Sequence, residues 1–109
     1  GVRWINYIIS YDGTQGTSAD RVKLYIDGVF LAPTIVGGTI PTSVNLTNMN
    51  NTIGVSAQNK FYRGNIDELA IFNYSLTEAD ALSIYDATET GKTADLNTLS
   101  TPPVAWYRM

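Results

Sequence analysis

Apolar and polar residues alternate in short bursts along most of the chain, at the period of two expected of strands. Trp4 to Tyr11 (WINYIISY) is aromatic and β-branched throughout and predicts a strand buried on at least one face. Asp12–Gly13–Thr14 breaks it, and the polar stretch to Asp20 reads as a loop. From Arg21 the alternation is clean, with Val22, Leu24 and Ile26 on one face and Arg21, Lys23 and Tyr25 on the other. Asp27–Gly28 is the strongest hairpin-turn signal in the chain, and Val29–Phe30–Leu31 is the returning strand. Residues 32–52, rich in Gly, Pro, Thr and Asn, predict short strands between turns, followed by a short strand over Thr52–Ser56. Gln58–Gly64 reads as a loop carrying Phe61 and Tyr62, and Ile66–Phe72 as a further strand. On that strand the alternation sets Asp67, Leu69 and Ile71 on the core side and turns Glu68 the other way.

One segment changes period. Ser75–Leu76–Thr77–Glu78 has the form of a capping box, and Leu76, Ala79, Leu82 and Tyr85 then recur at helical spacing. The pattern predicts one short amphipathic helix near residues 76–86, ending before Gly91. Residues 88–103 are Thr-, Asn- and Pro-rich and read as a linker, after which Val104–Tyr107 starts a new strand. The class expected is all-β with one short helix, arranged as a sandwich or barrel.

Composition narrows the chemistry. The 109 residues suffice for one small domain. A net charge of −3 with no basic cluster argues against nucleic acid as a partner, because phosphate binding needs concentrated Lys and Arg. No apolar run reaches the ~18–20 residues that cross a bilayer as a helix, so membrane insertion is not expected. The absence of cysteine removes thiolate metal sites and cysteine nucleophiles. The absence of histidine removes the commonest general base and the Ser-His-Asp triad.

Four segments, taken in order, resemble the second half of a laminin-G-like jelly-roll domain of the concanavalin A-like lectin/glucanase superfamily. They are the Trp strand ending in Tyr11–Asp12–Gly13, the Val22–Lys23–Leu24–Tyr25–Ile26–Asp27–Gly28 hairpin, the Ile53–Gly54–Val55–Ser56 strand, and the run Phe61–Tyr62–Arg63–Gly64–Asn65–Ile66–Asp67–Glu68–Leu69–Ala70–Ile71–Phe72–Asn73–Tyr74–Ser75–Leu76–Thr77–Glu78. The last is the most specific. The resemblance implies an antiparallel β-sandwich over residues 1–87, truncated on its N-terminal side because the strands that normally precede the Trp strand are missing. It makes 88–103 a linker, and 104–109 either the first strand of a following repeat or a strand completing this sandwich. The phrasing is also similar to tandem repeats in marine phage and bacterial structural or adhesion proteins, which implies an extracellular, virion or cell-surface location.

The same resemblance implies a non-catalytic recognition or adhesion module that binds carbohydrate, or else a purely architectural repeat or oligomerisation unit. Glycan stacking would fall to Phe61, Tyr62 and Arg63, in a loop. A structural calcium ion would fall to Asp67, against a simpler reading in which Asp67 accepts hydrogen bonds from nearby amides or ring N–H and O–H groups. Glucanases of this fold place two carboxylates at alternating positions on one strand face, whereas Asp67 and Glu68 are adjacent and diverge, so hydrolase chemistry is not expected. Missing strands would leave open edges, which predicts self-association.

Overall fold

The computed structural model describes residues 3–44, 52–56, 58–89 and 95–108. Two small antiparallel sheets and little helix make up the fold. The first sheet has the order β1 (Tyr7–Tyr11), β2 (Val22–Ile26), β3 (Val29–Leu31). The second pairs β4 (Leu69–Ile71) with β5 (Ala105–Tyr107). Helix α1 (Ser18–Arg21) is a single turn, α2 (Glu78–Glu89) is the main helix, and a 3-10 turn covers Leu96–Thr98.

The β2–β3 hairpin forms where the sequence places it. Asp27 and Gly28 both have positive φ, 50° and 78°, which is the backbone of the tight turns that match strand twist. A side chain at Gly28 would also meet the Tyr85 ring of α2 at 3.1 Å, so this glycine serves both the turn and the helix packing. The Asp27 carboxylate accepts from Arg3 and from the Asn6 amide (2.9 Å), and its own amide donates to the Asn6 carbonyl (2.9 Å). These bonds hold the approach to β1 against the turn, although β1 begins only at Tyr7 and not at Trp4.

The core is small. Ile8, Tyr25, Leu76, Ala81, Ile84 and Leu96 are its buried apolar members, with Ala70, Phe72, Leu99 and Trp106 packed against them. Tyr25, at 2 % exposure, is the deepest large side chain and tilts against Phe30 at a 5.8 Å centroid separation. Ser10 is buried beside it and donates to the Leu76 carbonyl at 3.2 Å, which fastens β1 to the entry of α2. Leu96, in the stretch read from sequence as a linker, is among these core residues.

The helix differs from its sequence pattern in start and phase. Thr77, not Ser75, caps it: the Asp80 amide donates to Thr77 Oγ1 at 3.2 Å and Asp80 Oδ2 accepts from the Thr77 amide at 2.9 Å. Leu76 thus lies before the first turn and does not set the phase of the buried stripe. Ala81 and Ile84 are buried, whereas Ala79 and Leu82 are exposed. The short strand expected over Thr52–Ser56 is reduced to a single bridge, Val55 to Phe61. Residues 32–44 form no strand, and the rest of that Gly/Asn-rich stretch, 45–51, lies outside the described residues.

Asp12 closes β1 as the sequence suggests. Its carboxylate accepts from the Thr14 hydroxyl (2.6 Å), the Gln15 side-chain amide (2.8 Å) and the Thr14 backbone amide (3.0 Å). Those donors, Thr14 first, hold its pKa down at about 2. The loop is tied further by Arg21, which donates to the carbonyls of Gln15 (2.9 Å) and Ile40 (2.7 Å). The partners of the carboxylate, Thr14 and Gln15, lie in this loop, so Asp12 has a structural role.

Candidate functional site

Residues 54–56 and 58–64 run back against each other and carry two exposed aromatic rings. Their backbone is held by the Val55–Phe61 bridge and by three hydrogen bonds: Tyr62 amide to Gly54 carbonyl (2.8 Å), Ser56 amide to Lys60 carbonyl (2.9 Å) and Asn59 amide to Ser56 carbonyl (2.9 Å). Asn59 takes the left-handed conformation that the tip needs, at φ 56°, a region asparagine tolerates better than most residues. The Ser56 hydroxyl accepts from the Gln58 and Lys60 amides, each at 3.3 Å. A loop with its own hydrogen bonds presents its side chains in a fixed geometry, which is the usual condition for a binding loop.

Phe61 and Tyr62 are both strongly exposed, Tyr62 at 61 %. Its ring lies against Gly64: a Cβ built at that glycine would sit 2.8 Å from the ring's Cε1, Cζ and Oη. The glycine therefore gives the phenol end a bed of bare backbone while the rest of the ring faces solvent. Arg63 follows directly and is exposed as well. An exposed ring with a guanidinium beside it can stack on an apolar surface and donate to hydroxyl or carboxylate oxygens at its rim. The sequence singled out Phe61, Tyr62 and Arg63, and the structure puts all three on the surface of one turn. It did not single out Gly64 as the support of the tyrosine ring.

The acidic pair keeps the alternation but not the expected core side. Asp67 is exposed, with its Oδ1 accepting from the Glu68 amide at 2.9 Å, and it does not enter the core. Glu68 is the half-buried acid. Its Oε2 accepts from the Trp106 indole at 2.7 Å, and its other oxygen lies 3.8 Å from Arg108 Nε. The Arg108 guanidinium in turn stands 4.7 Å from the Trp106 ring centre. Glu68 sits at φ 53° and the strand begins only at Leu69, but the alternation is kept across it: the set of Glu68, Ala70 and Phe72, not that of Asp67 and Ile71, is the one turned inward. Ala70 and Phe72 accordingly pack on the core, while Ile71 is exposed.

The residues do not fit the calcium site that Asp67 suggested. No group of three or more acidic, histidine or cysteine side chains is gathered among the described residues, and Asp67 is occupied by its neighbour's amide. A calcium ion takes six to eight oxygen ligands. The acids that might have been paired for hydrolysis are likewise apart in role, one capping backbone and the other bound by indole and guanidinium.

A cleft of about 600 Å³ lies between β1 and the segment from Glu68 to Leu76. Asn6, Tyr7 and Tyr11 line one wall, and Phe72 and Tyr74 the other. Phe72 and Tyr74 meet edge to face at 5.7 Å, and the Tyr74 hydroxyl is engaged with the Thr101 carbonyl at 2.7 Å. Asn6 Oδ1 is buried without a hydrogen-bond partner.

Comparison with protein families finds a match over residues 2–81 to a laminin-G-type model described as the concanavalin A-like lectin/glucanases superfamily. Neither the curated proteins nor the solved structures contain a match. The two antiparallel sheets and the low helix content are consistent with a concanavalin-like fold.

Proposed function

Because this chain belongs to the concanavalin A-like lectin/glucanase superfamily through a laminin-G-like domain, we propose that it is a non-catalytic recognition module that contacts carbohydrate through Phe61, Tyr62 and Arg63. Laminin-G-like domains often bind ligands or mediate adhesion and are generally non-catalytic. The observation that carries the reading is the Tyr62 ring, largely exposed and laid over Gly64, with Arg63 beside it. A tyrosine has only two side-chain torsions to order when a pyranose face stacks on it, so little rotamer entropy is lost. Arg63 supplies donors for the sugar's oxygens. The absence of histidine and the divergent roles of Asp67 and Glu68 support a module without hydrolase chemistry. A surface or virion setting fits such a module, and no described helix is long and apolar enough to cross a membrane.

A glycan array, run with calcium and again with a chelator, tests this. Binding should persist in the chelator, because Asp67 has no acidic partners. Tyr62→Ala should weaken it by about tenfold, the worth of ~1.4 kcal/mol of lost stacking. Gly64→Ala is the sharper variant. It leaves backbone hydrogen bonds intact but places a methyl where the ring lies, so affinity should fall while the thermal melt stays put. No binding across a broad panel would sink the proposal in favour of an architectural repeat, and binding indifferent to Tyr62→Ala would sink the assignment to this turn.

A further inference from the structure

A second groove, of about 320 Å³, lies where the entry to α2 meets the core side of the three-stranded sheet. Its lining comes from residues 10–30 and 75–78, all of them described. In the register of the sheet Ser10 stands opposite Lys23 and Ile8 opposite Tyr25. Opposed residues, and residues two apart on one strand, point to the same side. Ser10, Lys23 and Tyr25 therefore share the face that carries the core. Ser75–Glu78 form the facing wall, joined to the sheet by the bond from Ser10 to the Leu76 carbonyl.

Most of the charge in the groove is already engaged. Asp12 accepts from Thr14 and Gln15, Asp20 from the Thr17 hydroxyl (2.6 Å), and Arg21 donates to the Gln15 and Ile40 carbonyls. Two charged groups of the lining are left, Lys23 on the sheet and Glu78 in the first turn of α2. Neither has a hydrogen bond or an ion pair among the described residues, with each other or with any third group. The third open group is the Tyr25 hydroxyl. That side chain is 2 % exposed and lines the groove, yet its hydroxyl makes no hydrogen bond among the described residues. Buried polar groups nearly always have a partner. Burial first, and then the charges of Glu78 and Asp80, raise its pKa, so it stays protonated and able to donate.

We propose that this groove binds a free α-amino acid with an apolar side chain, its carboxylate held by Lys23 and the Tyr25 hydroxyl and its ammonium by Glu78. A zwitterion satisfies both unpaired charges at once. A simple anion would leave Glu78 facing its own sign, and a simple cation would do the same to Lys23. Ammonium-to-carboxylate bonds on each side are of the charge-assisted kind, and the hydroxyl adds direction from the floor. The size is right for one small molecule, since 320 Å³ stands at the lower end of the ~300–1,000 Å³ typical of ligand sites. Phe30, 42 % exposed and tilted against Tyr25, gives the ligand's side chain an apolar surface. The groove shares no residue with the Phe61–Arg63 turn, so the inference does not rest on glycan binding.

Titration of the 109-residue chain with L-leucine, followed by amide correlation spectra, tests the site. We expect saturable shifts centred on Lys23, Tyr25 and Glu78. N-acetyl-leucine and leucinamide, which each lack one of the two charges, should bind about tenfold more weakly or worse. Lys23→Met keeps the aliphatic stem and Glu78→Gln keeps the shape. Each should weaken leucine about tenfold with unchanged far-UV circular dichroism, because both side chains are exposed. Tyr25→Phe retains the ring and the fold, and should also bind leucine several-fold more weakly. No saturable shift at tens of millimolar leucine overturns the proposal. So does a blocked form that binds as tightly as leucine, or an affinity that either charge variant leaves unmoved.

Discussion

Replacing Tyr25 by alanine is expected to remove most of the stability of this chain. The side chain is 2 % exposed and sits where β1, β2 and the entry to α2 meet. Aromatic-to-alanine changes in cores cost about 3–5 kcal/mol, the transfer of the lost ring plus the cavity left behind. A small domain has a net stability of only about 5–15 kcal/mol, and six buried apolar side chains among the described residues suggest the lower part of that range. Thermal unfolding followed by far-UV circular dichroism should show Tyr25→Ala without a cooperative transition above room temperature. Tyr25→Phe, which keeps the ring, should melt close to the parent. Burial, with the charges of Glu78 and Asp80, pushes the Tyr25 hydroxyl above its ordinary pKa of 10.0. The unfolded chain therefore loses this proton first, and stability should fall as pH rises from about 10 toward the raised value. Tyr25→Phe should lack that alkaline slope. A Tyr25→Ala melt within a few degrees of the parent would show that the core does not depend on this ring.

Tyr25 also marks how far the sequence could be read. The alternation from Arg21 to Ile26 placed it correctly opposite Val22, Leu24 and Ile26, but hydropathy would favour burying the aliphatic set. The structure buries the tyrosine because α2, with Ala81 and Ile84, packs on its side of the sheet. Strand periodicity tells which residues share a face; it does not tell which face finds a partner. The Asp27–Gly28 hairpin was fully legible because its turn depends on local backbone sterics alone. The helix existed as predicted, but its phase did not. The cap at Thr77 and Asp80 depends on which of two overlapping polar triplets closes, Ser75–Glu78 or Thr77–Asp80, and both satisfy the pattern.

The exposure of the Phe61–Arg63 turn was legible for a similar reason and to a similar limit. Phe61, Tyr62 and Arg63 stand out as aromatics and a guanidinium in a polar stretch, so their exposure could be anticipated. The role of Gly64 could not, because it depends on a ring folding back two residues along the chain. The signal for it was present as a glycine directly after the exposed pair, with no turn type that demanded it. Alternation grouped Asp67 with Ile71 and turned Glu68 the other way, with Ala70 and Phe72, and that grouping holds; the face given to the core was the reverse of the one the structure buries.

That reversal makes Glu68 the second residue on which the structure depends heavily. Glu68→Ala should release β5 from β4 and lower stability by about 2–3 kcal/mol. The carboxylate holds the Trp106 indole through a charge-assisted hydrogen bond, a class worth ~1.5–3 kcal/mol, and removing it leaves a half-buried N–H with no acceptor. The Arg108 contact adds little by itself at 3.8 Å and a largely exposed guanidinium. Glu68→Gln separates the two contributions, because the amide oxygen can still accept from Trp106 while the charge facing Arg108 is gone. It should therefore retain most of the stability that Glu68→Ala loses. A gain from relieved backbone strain is open only to Glu68→Gly, which accepts φ 53° freely but forfeits the indole bond. Its loss should consequently be smaller than that of Glu68→Ala. Amide hydrogen exchange at Ala105–Tyr107 reads the local effect: protection should collapse in Glu68→Ala while β2 stays protected. Equal losses in the alanine and glutamine variants would mean that the ion pair, rather than the indole bond, anchors the strand.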